Sequence, residues 1–292
     1  MPTPSAVSIR RVAVLGAGTM GSGIAQVAAL AGYDVALYDV TEDLALAGIE
    51  RIRASLSIGV QKGKVSPADR DLALGAIRSS GVLEDAAAGA HLVIEAAPES
   101  LDLKRSMFAR LGAICSEDAL LTTNTSSLSV SKIASSASHP ERVVGLHFFN
   151  PPHIMKLIEI VRAWQTSDAV VATAIEVVKR LGKEAVVVKD TPGFATSRLG
   201  LALGLEAMRM VEQGVASAED IDRAMELGYA HPMGPLRVSD LVGLDVRLAI
   251  AETLHRELGE AQFRPPDILR EKVRAGKLGK KSGEGFHKWP KA

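Results

Sequence analysis

One cysteine in 292 residues, Cys115, excludes an internal disulfide and any cysteine-rich metal centre. Aromatic residues make up 4% of the chain, too few for the stacking platforms of single-strand nucleic-acid binders. Charge of one sign is missing too. Lys and Arg number 34, Asp and Glu number 34, and no basic field points to nucleic acid. The seven histidines fall in no metal-ligand spacing such as H-E-x-x-H, so no metal is expected. Nowhere do about 18 apolar residues run together, so no membrane span is expected. The opening "MPTPSAVSIRR" has no apolar stretch before the first strand candidate, which argues against a secretory leader. These absences point to a cytoplasmic protein. A hydrophobic content of 47% supplies a sizeable core for one large domain or two ordinary ones.

The first two-thirds of the chain alternates short apolar runs with helical text. "RRVAVLGAG" reads as a buried strand ending in glycines. "TMGSGIAQVAALAG" has helical spacing and stops at Gly32. "DVALYD", "AIRSS", "HLVIEAAP", "ALLTTNTSS", "RVVGLHFFNP", "KLIEIV" and "EAVVVKD" are further strand candidates with helical stretches between them. This alternation implies an α/β fold: a Rossmann-type, doubly wound, mostly parallel sheet with helices on both faces. At "KDTPGF" the texture changes, and only amphipathic helical text follows, including "SAEDIDRAMELG" with its Ser-x-x-Asp cap. We place a boundary near Lys189, between an α/β domain (1–189) and an all-α domain (190–292).

"GAGTMG" places Gly16, Gly18 and Gly21 in the G-x-G-x-x-G spacing. Alone the pattern is weak. Here it follows a strand and opens a helix at Thr19 and Met20, and Asp39 ends the next strand. That is the context a dinucleotide site requires. The start of the helix would offer backbone N–H groups to the pyrophosphate. Asp39 would accept hydrogen bonds from the adenosine ribose and repel a 2′-phosphate. Val40 and Thr41 supply no compensating arginine, so NAD is favoured over NADP. Ser126 and Ser127, in "NTSS", stand at another strand end, where they face a ligand or cap the helix that follows.

"HFFNPPHIMKLIEI" carries ionisable residues inside apolar runs. A histidine in such a run is more often a satisfied core residue. His147, however, ends a strand, a Pro-Pro loop follows, and Glu159 lies twelve residues on in a return strand. A carboxylate buried there needs a partner. A His147–Glu159 pair satisfies both groups and fixes one imidazole nitrogen, leaving the other to act as a base. Lys156 is the rival partner for Glu159. His153 reads as a loop residue. The basic stretch "REKVRAGKLGKKSGEGFHKW" reads as a solvated helix end and tail or as a contact to a phosphate-bearing ligand.

With these segments the sequence resembles the L-3-hydroxyacyl-CoA dehydrogenases, including the short 3-hydroxybutyryl-CoA dehydrogenases. "VLGAGTMGSGIA", "VIEAAPE", "TTNTSSLSV", "GLHFFNPPHIMKLIEI", "KDTPGF", "HPMGPLRVSDLVGLD" and "GKLGKKSGEGF" carry the likeness nearly end to end. The resemblance implies NAD-dependent oxidation of an L-3-hydroxyacyl-CoA to the 3-ketoacyl-CoA. It implies that His147 is the base and Glu159 its orienting carboxylate. Ser126 and Asn150 would contact substrate and nicotinamide. Glu99, Lys104 and Lys281 would lie along the NAD site, and Ser55 and Lys62 would touch coenzyme A. It also implies a homodimer formed through the helical domain. Two positions depart from the family pattern. Ser197 stands where the family usually has an asparagine reaching toward the substrate, and His153 falls where a second proline often sits. Two rival functions stay open: a dehydrogenase of a free hydroxy or sugar acid on a related fold, and a non-catalytic NAD-binding relative.

Overall fold

A computed structural model describes residues 9–290. The chain divides into two units, one ending at Thr191 and the other beginning at Pro192. The first contains β1 (Arg11–Leu15), α1 (Thr19–Leu30), β2 (Asp34–Tyr38), α2 (Glu42–Gln61), α3 (Pro67–Gly75), β3 (Ile77–Ser80), α4 (Leu83–Ala87) and β4 (Leu92–Glu95). It continues with α5 (Leu101–Ile114), β5 (Leu120–Thr123), α6 (Val130–Ala134), β6 (Val143–Phe148), β7 (Leu157–Arg162), α7 (Asp168–Arg180) and β8 (Glu184–Lys189).

The strands form one sheet in the order β3-β2-β1-β4-β5-β6-β7-β8. Strands β1 to β6 pair in parallel, β7 runs antiparallel to β6, and β8 runs parallel to β7. This is the doubly wound arrangement the alternation predicts. Its inner parallel strands read as largely apolar runs because helices cover both faces; β4 and β6 are buried along their whole length, whereas the edge strands β3 and β8 are partly exposed. Chain order reverses between β1 and β4, and ligands of such sheets bind beyond the carboxyl ends of the strands at that point. Val14, Leu37, Ile94, Leu146 and Ile160 are among the fully buried residues of its core.

The second unit contains α8 (Thr196–Glu212), α9 (Ala218–Gly228), α10 (Pro235–Val242), α11 (Leu244–Leu258) and α12 (Asp267–Arg274). Leu201, Leu205, Met208, Leu236 and Leu254 pack its core. The Ser217 hydroxyl accepts from Asp220 N at the start of α9, as the Ser-x-x-Asp spacing predicts. The helical text from Pro235 to Leu258 breaks at Gly243, whose φ of 103° suits glycine.

The basic C-terminal stretch is not a solvated tail. The buried Asp240 carboxylate accepts from Phe286 N, His287 N and Trp289 Nε1. His287 Nε2 lies 2.8 Å from Asp222 Oδ2, and Asp222 also accepts from Leu236 N and Arg237 N. Lys277 pairs with Glu284 and Lys281 with Asp245, each at 2.6 Å. Much of the charge in this stretch is spent on holding it to the helices.

Candidate active site

The turn from β1 to α1 is built from glycines for steric reasons. Gly16 has φ +103°, and a Cβ there would meet the Ala96 carbonyl oxygen at 2.6 Å. A Cβ on Gly21 would overlap the Gly16 carbonyl oxygen at 1.6 Å. At Gly18, by contrast, nothing lies within 4 Å of a built Cβ, so the start of α1 faces open space. Asp39 accepts from Ala17 N at 2.8 Å through Oδ2 and from Val40 N at 2.7 Å through Oδ1. It therefore braces the glycine turn. A cleft of about 560 Å³ opens above, lined by Gly16, Thr19, Met20, Asp39, Ala97 and Arg110 among others. Sequence reasoning missed Arg110. The signal was present: Leu103, Ser106, Met107 and Arg110 share one face of α5 at helical spacing and all line this cleft. Arg110 is held by Glu84 at 2.6 Å.

Under the cleft lies a second feature the sequence did not disclose. Glu95 ends β4 fully buried, and Lys104 of α5 is 1% exposed; Nζ donates to Glu95 Oε1 at 2.6 Å. Glu95 also accepts from Ala97 N and from Thr123 Oγ1. Lys104 Nζ donates to the Ala97 carbonyl at 3.2 Å and lies 3.4 Å from Glu99 Oε2. Lys104 thus acts beneath the loop after β4. A carboxylate closing the apolar run "LVIE" was the available signal for Glu95, the same signal that disclosed Glu159.

Glu99 reaches across to the loop after β5. Its Oε1 accepts from Thr125 Oγ1 at 2.6 Å, Ser126 N at 3.0 Å, Ser127 N at 3.2 Å and Ser127 Oγ at 3.1 Å. Burial alone would push this carboxyl up. The Lys104 ammonium and the donors of Thr125, Ser126 and Ser127 outweigh it and hold Glu99 below its ordinary range. The cap of α6 is Ser129, which accepts from Lys132 N. Ser126 and Ser127 do not cap α6; Ser126 stands exposed at the strand end.

His147 lies directly opposite Glu159 in the β6–β7 pairing. Its Nδ1 is 2.8 Å from Glu159 Oε2, and the two residues are 6% and 0% exposed. Lys156, the rival partner, is exposed. Asn124 Oδ1 accepts from Phe148 N at 2.8 Å and ties the ends of β5 and β6 together. The Lys183 ammonium donates to the carbonyls of Pro152 and Met155 at 2.7 and 2.8 Å, which fixes the loop between β6 and β7. Asn150 and His153 of that loop line a cleft together with Thr19, Gly23, Arg51 and Ser55. Burial pushes the His153 imidazole down, and the Lys183 charge adds to this. Ser55 and Lys62 lie seven residues apart on one side of α2, with Lys62 exposed at its end. In the helical unit, Ser197 lies in the first turn of α8, half-buried.

The glycine turn, Asp39, Glu99, Ser126, His147 and Asn150 thus all stand at or beyond carboxyl ends of strands of one sheet. Comparison with known proteins agrees with this arrangement. Residues 11–191 match the model of the 3-hydroxyacyl-CoA dehydrogenase NAD binding domain, and residues 193–289 match the 3-hydroxyacyl-CoA dehydrogenase C-terminal domain. The chain belongs to the 3-hydroxyacyl-CoA dehydrogenase family. It is 45% identical over 282 residues to the 3-hydroxybutyryl-CoA dehydrogenase of Mycobacterium tuberculosis, covering 96% of this chain and 98% of the relative. It is 44% identical over 281 residues to a probable 3-hydroxybutyryl-CoA dehydrogenase of Bacillus subtilis, covering 96% and 98%. Among solved structures, (S)-3-hydroxybutyryl-CoA dehydrogenase PaaH1 of Ralstonia eutropha superposes with a TM-score of 0.94 at 40% identity, covering 97% of this chain and 100% of that one. As a member of the 3-hydroxyacyl-CoA dehydrogenase family, the chain is an NAD-dependent oxidoreductase.

Proposed function

We propose that the protein oxidises the C3 hydroxyl of L-3-hydroxyacyl-CoA, 3-hydroxybutyryl-CoA among them, to the 3-keto ester. The observation that carries this is the buried cross-strand pair His147–Glu159 at 2.8 Å. His147 takes the hydroxyl proton on the ring nitrogen that does not face Glu159. Glu159 holds the ring orientation and stabilises the imidazolium that forms. NAD, when bound, supplies the hydride acceptor. The open space at Gly18, the Asp39 carboxylate and the adjoining cleft fit such a cofactor.

The remaining roles form part of the same proposal. Ser126, fixed by Glu99, and Asn150 align substrate and nicotinamide. Lys104 serves the cofactor through the loop it supports. Ser55 and Lys62 meet coenzyme A, with Lys62 as a point charge for its phosphates. Ser197 acts on the substrate from the helical unit, and Lys281 acts at the cofactor. The helical unit also mediates a homodimer. Leu199, Leu203, Leu227, Leu241 and Val246 are exposed apolar residues of its helices, which supports a partner surface. A cytoplasmic setting belongs to this reading and rests on the single thiol, Cys115.

Following NADH loss with acetoacetyl-CoA, with free acetoacetate and with no substrate tests the proposal. Turnover with the CoA ester alone supports it. Equal turnover with free acetoacetate would favour a hydroxy-acid dehydrogenase, and no turnover with either would favour a non-catalytic relative.

A further inference from the structure

Gln26 of α1 is 4% exposed, yet its side-chain amide makes no hydrogen bond among the described residues. Ser22, one turn earlier on α1 and equally buried, donates to the Ala17 carbonyl at 2.7 Å. The Gln26 amide is not sealed in the core. The residue lines the cleft bordered by Ser55, Asn150 and His153, so its free amide faces that space. A buried amide carries two donors and an acceptor, and leaving them unmade costs free energy unless something in the cleft completes them.

The cleft is closed over this amide by the loop between β6 and β7. Gly23 stands one turn before Gln26, and a Cβ there would meet Pro152 Cδ at 2.8 Å, so only glycine lets the loop come down onto α1. Ile52, Pro151 and Pro152 supply apolar walls. The polar groups beside Gln26 are neutral: the Ser55 hydroxyl, the Asn150 amide and the His153 imidazole, whose neutral form is favoured by burial and by the Lys183 charge. Arg51, the charged residue of the lining, is turned to the Ala17 carbonyl at 2.6 Å. The space is about 130 Å³, room for roughly four waters. Apolar walls around an uncharged donor and acceptor suit a narrow chain bearing a secondary amide, rather than a phosphate or a carboxylate.

The place of the cleft agrees with this. On the coenzyme A reading above, the phosphates go to Lys62, seven residues and roughly 10.5 Å along α2 from Ser55. Asn150, three residues past His147, belongs to the reacting end. The cleft runs from Ser55 to Asn150 and so lies between the two, where the amide-bearing arm of coenzyme A passes. We propose that Gln26 pairs with a secondary amide of the pantetheine arm, donating to its carbonyl and accepting from its N–H. This rests on the acyl-CoA reading and adds a specificity residue to it, all within the first unit.

The test compares NADH loss with three acetoacetyl thioesters: acetoacetyl-CoA, S-acetoacetylpantetheine, which lacks the nucleotide, and S-pentyl acetothioacetate, which lacks the amides as well. In the native enzyme kcat/KM should be higher for the pantetheine ester than for the pentyl ester by roughly tenfold or more. Gln26→Met, nearly equal in volume but without the amide, should lower that ratio and leave the CoA-to-pantetheine ratio unmoved. Lys62→Ala should do the reverse. NADH affinity of Gln26→Met should match the native protein. A pantetheine-to-pentyl ratio of one or less in the native enzyme overturns the proposal, whatever the variants do. So does a ratio that Gln26→Met leaves unmoved, and so does a fall in the CoA-to-pantetheine ratio instead, which would place the nucleotide at Gln26. Turnover of all three esters without pantetheine preference defeats this proposal alone. No turnover with any of them defeats the activity on which it rests.

Discussion

Glu95 and Lys104 form a buried ion pair, 2.6 Å long, beneath the loop that follows β4. Both ends are satisfied: Glu95 also accepts from Ala97 N and Thr123 Oγ1, and Lys104 also donates to the Ala97 carbonyl. Removing Glu95 leaves the buried Lys104 ammonium only its longer contact with Glu99, 3.4 Å away, and the Ala97 carbonyl. Glu95→Ala should therefore destabilise the protein by about 3–5 kcal/mol. Glu84→Ala, which breaks an exposed pair with Arg110, should cost about 0–1 kcal/mol. Urea unfolding of the two variants makes the comparison. Similar losses in both would mean that the Glu95 pair does not stabilise the fold as its burial implies.

Asp39 both braces the glycine turn through Ala17 N and is proposed to meet the adenosine ribose. Asp39→Ala should raise KM for NADH by roughly tenfold or more, since hydrogen bonds to a charged group are lost. It should also narrow the gap between NADH and NADPH, because a carboxylate no longer repels the 2′-phosphate and Arg110 lines the same cleft. Steady-state kinetics with both cofactors checks this. Equal use of NADPH by the native enzyme would defeat the ribose argument.

The Glu99 brace on Ser126 and Ser127 sets a pH dependence. Its carboxyl is held below the ordinary range, with the Lys104 ammonium and three donor residues outweighing the effect of burial. A carboxyl with a depressed folded value stabilises fully above its unfolded pKa, and the contribution is lost as pH falls through the folded value. Folding stability should therefore keep the Glu99 contribution at neutral pH and lose it only on acidification below the usual carboxylate range. Glu99→Gln should be less stable at neutral pH and lack that acid step. Identical stability-against-pH profiles for the two proteins, by urea unfolding, would exclude the brace.

Cys115 is buried, and its Sγ lies 3.7 Å from the Ala87 carbonyl oxygen. Burial pushes its thiol up to about 11, with the Arg142 charge opposing only in part. Little thiolate exists at neutral pH, and the thiolate is the reactive form. A thiol-specific reagent should label the native enzyme very slowly and the urea-unfolded chain at once, with no early loss of activity. Rapid labelling of the native protein would place Cys115 nearer the surface than the fold does.

The inner strands were legible because they are buried on both faces and read as apolar runs, whereas the edge strand β3, IRSS, is only weakly marked and β8 is an apolar run on an exposed edge. His147 and Glu159 were legible because each is an ionisable residue in such a run, and a short return loop fixes which residues face each other. Glu95 carries the same signal, but its partner Lys104 lies on the following helix, and that pairing depends on how helix and strand dock. Arg110 likewise joins the cleft through the packing of α5. Local sequence did not reveal that Gly243 divides one apparent helix into α10 and α11. Nor did it choose Ser129 over Ser126 as the cap of α6; the choice follows from Glu99 drawing the earlier serines toward itself. The sequence left the basic C-terminal stretch open between a solvated tail and a ligand contact because its carboxylate partners, Asp240 and Asp245, come from helices earlier in the chain.

The assignment of His147 as the base, oriented by Glu159, is tested most directly by measuring kcat with acetoacetyl-CoA, and NADH affinity, for His147→Gln and Glu159→Gln. Loss of a general base at His147 should lower kcat by about a hundredfold to ten-thousandfold. Glu159→Gln should lower it less, and both variants should bind NADH as the native protein does. Near-native turnover by His147→Gln would contradict the assignment.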